Sequence, residues 1–227
     1  RRGIELEGSA YSDERYGISQ IKDIEIEADD AKVEIKPSQD DTFGYSVTYE
    51  DTHSTPQVTV DNGKIRIEEK SNGGFWILDF GFAALFGNRE NVVTIYVPEK
   101  AALDTVKIDT SNGKVTADAW FTTQNLNVQS DNGKIELMQM ICEKNAQVHC
   151  SNGKITVNAE FKGESLFSSN NGNVELAGAW EGTVTCKTNN GKIQVTAPKP
   201  ESAYRVEAHT DNGSVYVNDN KVLNPYT

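Results

Sequence analysis

The sequence predicts an all-β fold, a single-chain parallel β-solenoid (β-helix-like) with coils of about 20 residues, and three observations carry that expectation. One phrase recurs six times between Val106 and Val217: Ser111-Asn112-Gly113-Lys114-Val115, Asp131-Asn132-Gly133-Lys134-Ile135, Ser151-Asn152-Gly153-Lys154-Ile155, Asn170-Asn171-Gly172-Asn173-Val174, Asn189-Asn190-Gly191-Lys192-Ile193 and Asp211-Asn212-Gly213-Ser214-Val215. Its glycines fall 20, 20, 19, 19 and 22 residues apart, and self-similarity at such a period is the mark of a stacked repeat. Around each glycine, apolar and polar residues alternate with period two, the pattern of half-buried strands.

Alignment on the glycine separates the sides. Five residues before it stand Ile108, Val128, Val148, Phe167, Cys186 and Ala208, and three before it Thr110, Ser130, Cys150, Ser169, Thr188 and Thr210. Two residues after it stand Val115, Ile135, Ile155, Val174, Ile193 and Val215. The intervening columns are almost all Lys, Asp, Gln, Glu, Asn, His and Thr. Each copy therefore reads as two strands flanking an Asn-Gly corner, with the glycine expected to supply a positive φ.

A meander of hairpins with tight Asn-Gly turns would share this pattern. The solenoid is preferred because the same residue in successive corners is useful when the corners touch. Stacked Asn side chains can then hydrogen-bond from coil to coil. The expected ladder comprises Asn112, Gly113, Asn132, Gly133, Asn152, Gly153, Asn171, Gly172, Asn190, Gly191, Asn212 and Gly213.

In chain order, one domain over 1–227 is expected, with irregular first coils over 1–100 and regular Asn-Gly coils over 101–218, about nine coils in all. Segment 1–20 reads as a polar leader lying on the first coil. Ile24–Ile35 superposes on Val106–Ala117 with Asp30-Ala31 in place of Asn-Gly, and is expected to be a degenerate terminal coil. Val58–Ile67 carries another Asn-Gly copy, Tyr45–Tyr49 is a strand, and Val92–Pro98 leads into the regular coils. The stretch 73–87 interrupts the pattern with Phe75, Trp76, Phe80, Phe82 and Phe86, and is too short to span a bilayer. Two readings stand for it: a flap capping the solenoid core, or a patch that docks on lipid or a partner protein.

Charge and chemistry narrow the function. The 227 residues carry 22 basic and 34 acidic side chains, net −12, which argues against nucleic acid as a partner. Glu136 and Glu175 share an outward column two coils apart, ~10 Å by strand spacing, and no pocket is implied. His149 and His209 share another column three coils apart, ~14 Å, too far for one metal ion. No catalytic residue, metal site or cofactor is expected. Three cysteines make no complete disulfide framework. Cys150 and Cys186 fall in inward columns, and Cys142 is expected at the surface. Lys114, Lys134 and Lys154 occupy consecutive coils and read either as a basic stripe for an anionic cell-wall polymer or as a solvated face that discourages edge pairing.

The phrases Asn91–Pro98 and Val106–Val115, with the repeated Asn-Gly-Lys corners, resemble the bacterial putative-adhesin domain family, a family of unknown function typified by LiaG-like cell-envelope proteins. The resemblance covers about residues 20–218 and departs from the family at the aromatic insertion. It implies a β-solenoid on the outer side of a membrane, behind an anchor upstream of Arg1 and linked to envelope stress, and it brings no catalytic residues. The expectation is a non-catalytic scaffold or adhesin-like binding module of the bacterial cell surface. Its partner would be a membrane surface, an envelope protein or a cell-wall polymer. The rival readings are a regulatory partner of a membrane envelope-stress protein and a polysaccharide-acting solenoid enzyme.

Overall fold

The computed structural model describes residues 11–50, 54–71, 90–197 and 204–227, and the regular elements among them are all strands. In chain order these are β1 (Tyr11–Ile18), then β2 (Asp23–Ala28) and β3 (Ala31–Pro37) around the Asp30-Ala31 corner. An excursion follows through β4 (Phe43–Tyr49), β5 (Ser54–Asp61), β6 (Lys64–Ser71) and β7 (Asn91–Val97). The regular coils then run from β8 (Ala102–Thr110) and β9 (Val115–Asp118) through β10 (Thr122–Ser130), β11 (Ile135–Cys150), β12 (Ile155–Phe161), β13 (Glu164–Asn171), β14 (Val174–Trp180), β15 (Gly182–Asn190), β16 (Ile193–Val195) and β17 (Tyr204–Asn212) to β18 (Val215–Val217). The short β19 (Asn220–Lys221) closes the series.

The strands before the corners make a leading sheet in which β2, β8, β10, the second half of β11, β13, β15 and β17 pair in parallel. The strands after them make a trailing sheet in which β3, β9, the first half of β11, β12, β14, β16 and β18 do the same. The chain is a parallel β-solenoid. Register follows from the repeat, as in Leu126↔Ala146 and Ile135↔Ile155, so every inward column meets itself in the next coil. Val115, Ile135, Ile155, Val174, Ile193 and Val215 all lose their full surface to this stack. Each such burial is worth about 1.5–3 kcal/mol, and together they give the thin two-sheet molecule a continuous core.

The first hundred residues differ from expectation in three ways. β2 and β3 are not terminal, because β6 pairs with β2 and β7 with β3 on the side away from β8 and β9. The Asn62-Gly63 copy is no coil at all: β5 and β6 form an antiparallel hairpin across it, with Asp61 facing Lys64. β4 and then β1 add antiparallel strands beyond β7. Parallel stacking therefore runs through β2/β3 and six Asn-Gly coils rather than nine, with β6 and β7 as its outermost parallel strands and β1, β4 and β5 adding antiparallel pairings at that end. At the far end the chain turns back on itself. β19 pairs antiparallel with β18, Tyr226 bridges Ala208, and Asn224 bonds both backbone groups of Thr210, which covers edges that would otherwise recruit another chain. The aromatic stretch 73–87, with Phe75, Trp76, Phe80, Phe82 and Phe86, lies outside the described residues.

Candidate functional site: corners and outer faces of the solenoid

The corners are built by contact between coils. Asn112, Asn132, Asn152, Asn171, Asn190 and Asn212 each donate Nδ2 to the side-chain oxygen one coil back at 2.7–2.9 Å, the run ending on Asp30 Oδ1. Behind them lies a second, buried ladder that sequence reading left as mere inward parity. Ser130, Cys150, Ser169, Thr188 and Thr210 donate to the carbonyls of Gly113, Gly133, Gly153, Gly172 and Gly191 at 2.8–3.2 Å. A small side chain with a donor, three residues before each glycine, was its signal.

The glycines themselves correct the expectation of positive φ, since none of the six has one. Space is the reason instead: a Cβ on Gly133 would sit 2.1 Å from the carbonyl oxygen of Gly113, and the same clash recurs at every corner. Gly113 sits against Ala31 O, whereas Ala31 begins the corner stack and has room for its own methyl.

On the outer face of the trailing sheet the lysine column is largely neutralised. Lys114 pairs with Glu136 at 2.9 Å and Lys154 with Glu175 at 2.7 Å, each one coil ahead. Lys192 lies 4.4 Å above the Tyr216 ring. Lys134 faces Thr156 in the corresponding place, because Glu136 and Glu175 are separated in register by that threonine. The two carboxylates are thus held as ion-pair partners of different lysines and do not converge.

The histidines are also held apart. His149, Ser168, Lys187 and His209 occupy successive rungs. His149 Nδ1 lies 2.8 Å from Ser168 Oγ, and His209 Nε2 lies 2.9 Å from Asp211. Among the described residues no group of three His, Cys, Asp or Glu side chains could hold a metal ion.

Cys142 is a further correction: it is buried, as are Cys150 and Cys186. A register shift between Met138 and Ile141, with Gln139 at φ 67°, inserts a bulge that reverses inward-outward parity for the rest of β11. Cys142 is thereby stacked between Thr123 and Phe161. Burial pushes its thiol up to about 11.

The leading sheet presents a trough of about 690 Å3 on its outer face. Asn125, Asn127, Asn145 and Gln147 line it, with Thr105 on one side, Glu164 in register beside Asn145 on the other, and Thr183, Thr185, Lys187 and Glu207 on the two strands beyond. The four amides are exposed and spread over adjoining parallel strands. Sequence reading left Asn127 and Gln147 among the outward polar columns, in one where no two carboxylates adjoin. The signal lay in uncharged amides recurring at adjacent outward columns of a chain otherwise rich in acid. Five strand spacings from Thr105 to Glu207 make the trough about 24 Å long, a length suited to an extended ligand.

A two-sheet solenoid with ladder-built corners and no converging catalytic groups among its described residues defines a class of repeat protein. Residues 21–218 match the Toastrack DUF4097 family, and the chain belongs to it. Two solved structures share the fold. A putative adhesin from Bacteroides fragilis is 16% identical with a TM-score of 0.51 over 95% of this chain and 100% of its own. A putative cell adhesion protein from Clostridium sporogenes is 14% identical with a TM-score of 0.50 over 83% of this chain and 100% of its own. A search of curated proteins finds no match.

Proposed function

We propose that the chain is a non-catalytic binding module of the bacterial cell envelope that holds an extended, neutral, hydroxyl-rich cell-wall polymer along the trough of the leading sheet. The observation that carries this is the exposed row Asn125, Asn127, Asn145 and Gln147. Amides offer donor and acceptor together, as a polymer of hydroxyls requires, and a flat parallel sheet repeats that offer at ~4.8 Å steps. An anionic polymer on the lysine column is the weaker reading, since Glu136 and Glu175 already pair with Lys114 and Lys154. An extracytoplasmic, membrane-anchored location is part of the proposal, supported by the adhesin names of the two structural relatives.

The test is retention of the protein by neutral wall polysaccharide immobilised on beads. Replacing Asn127 and Gln147 together by Ala is expected to lower affinity roughly tenfold, the worth of one to two hydrogen bonds. Lys134→Ala is expected to change nothing. Retention that is unaffected by the amide variant, or release of new reducing ends from the polymer, overturns the reading.

A further inference from the structure

A separate hollow of about 380 Å3 lies at the antiparallel end, on the trailing sheet rather than the leading one, lined by Tyr16, Ser38, Gln39, Asp40, Thr42 and Tyr96. Three features of the backbone build it. Between Arg15 and Ile18 the register of β1 against β4 shifts, with Gly17 at φ +70°, and this bulge turns Tyr16 out of the ladder. Opposite it stands Gly44, where a Cβ would come 2.8 Å from the Tyr16 ring, so the absent side chain is the space the ring occupies. Tyr96 faces Gly44 in register, and the two tyrosine rings meet with centroids 5.7 Å apart at 44°.

The polar wall is equally organised. Asp40 Oδ1 accepts from the Thr42 amide at 2.9 Å, from the Thr42 hydroxyl and from Ser38 Oγ at 3.3 Å. These bonds hold the carboxylate below the ordinary aspartate range. All of them fall on one oxygen, which leaves Oδ2 able to accept from a ligand. Tyr16 itself is 56% exposed, an uncommon position for a ring whose burial would be favourable.

We propose that this hollow is a binding site for a single neutral sugar ring. The tilted tyrosines would receive the C–H face of the ring, and Asp40 Oδ2, Gln39 and Ser38 its hydroxyl edge, an aromatic wall with a few placed polar groups being the usual make-up of a small-ligand site. A quaternary ammonium would also find aromatic faces here. Hydroxyl-bearing Ser38 and Thr42 and the amide of Gln39 outnumber Asp40, the one carboxylate of the lining; Glu14 is engaged by the Tyr16 hydroxyl at 3.3 Å, and Lys36, in register beside Tyr96, pairs with Glu34 at 3.0 Å. That balance favours the neutral ring. The site is independent of the trough, so either can fail alone.

The experiment is saturation-transfer NMR on the whole chain with methyl glucoside, methyl galactoside and N-acetylglucosamine as probes and choline as the competing class. Transfer to ring C–H protons of at least one sugar is expected at ~10 mM. Tyr16→Ala, which empties an exposed position, is expected to weaken that sugar about tenfold, and Tyr16→Phe to leave it within about threefold. Asp40→Asn is expected to weaken it several-fold, and Gly44→Ala to do so by crowding a ring that is still present. Asn127→Ala is expected to leave it unchanged, which separates this site from the trough. No transfer from any sugar, binding that survives both Tyr16→Ala and Asp40→Asn, or preference for choline overturns the proposal.

Discussion

Asp61-Asn62-Gly63-Lys64-Ile65 and Asp131-Asn132-Gly133-Lys134-Ile135 are the same five residues in two different backbones. At the first, Asn62 and Gly63 both take positive φ, 48° and 73°, the signature of a tight turn between antiparallel strands. Among the described residues Asn62 Nδ2 there bonds only its neighbour Asp61, at 3.1 Å. At the second, the backbone passes through a corner without positive φ at Gly133, and Asn132 bonds Asn112 one coil away at 2.9 Å. The difference lies three residues before the glycine and in what lies beneath. Ser130 gives its hydroxyl to Gly113 O at 3.2 Å, whereas Val60 has none to give. One pentapeptide thus has two local minima, and the neighbouring coil selects between them.

Thiols offer the largest readout, because all three belong to the coil stack and none to the hairpin end. At pH 8 a thiol held at about 11 is ionised to about one part in a thousand. Labelling of Cys142 in the native protein is therefore expected to be at least ~100-fold slower than in urea, where the thiol has an ordinary pKa. Rapid native labelling of Cys142 would mean that the bulge at Gln139 does not turn it inward. Burial raises this pKa above its unfolded value, so the stabilisation is complete below about pH 9. It is lost as pH rises towards about 11. Urea midpoints measured between pH 8 and pH 11 are expected to fall accordingly.

Alanine at the two glycines tests the comparison directly. Gly133→Ala places a methyl against a backbone carbonyl that cannot turn aside, and is expected to cost roughly 3 kcal/mol. Gly63→Ala meets the strain of a left-handed residue, about 1–2 kcal/mol. Equal losses in urea unfolding would mean that both glycines serve the same purpose. Ser130→Ala is expected to cost about 1 kcal/mol by leaving Gly113 O without its side-chain donor. Smallest of all, Asn62→Gly is expected to shift stability by only a few tenths of a kcal/mol, since Gly-Gly suits the same turn. Asn132→Gly breaks bonds to two coils and should lose more. Differential scanning of the pair would show which is which.

The regular coils were legible because their constraint is periodic. Alternation placed Ile108, Val128 and Val148 inside and Gln129 outside, and the repeat length set the register. The error at Cys142 has the opposite cause: a single extra residue near Gln139 reverses parity, and one inserted residue leaves no trace in an alternation count. The trough was only half visible. Asn127 and Gln147 stood in a column already read, but Asn125 and Asn145 lay farther from the corner. The hollow around Tyr16 and Tyr96 joins residues 80 positions apart across two antiparallel pairings that no periodicity foretells.

By itself the sequence determined the all-β class, the parallel stacking of the Asn-Gly coils and the inward columns, since period two and period 20 are properties of the chain alone. Tertiary structure alone decided that β6 and β7 stack outside β2 and β3, that Asn62-Gly63 turns a hairpin, and that the corner glycines answer to a neighbour's carbonyl rather than to φ. The physical reason is common to all three. Each depends on which backbone lies about one strand spacing away, and that neighbour is chosen by long-range packing rather than by the residues of the corner.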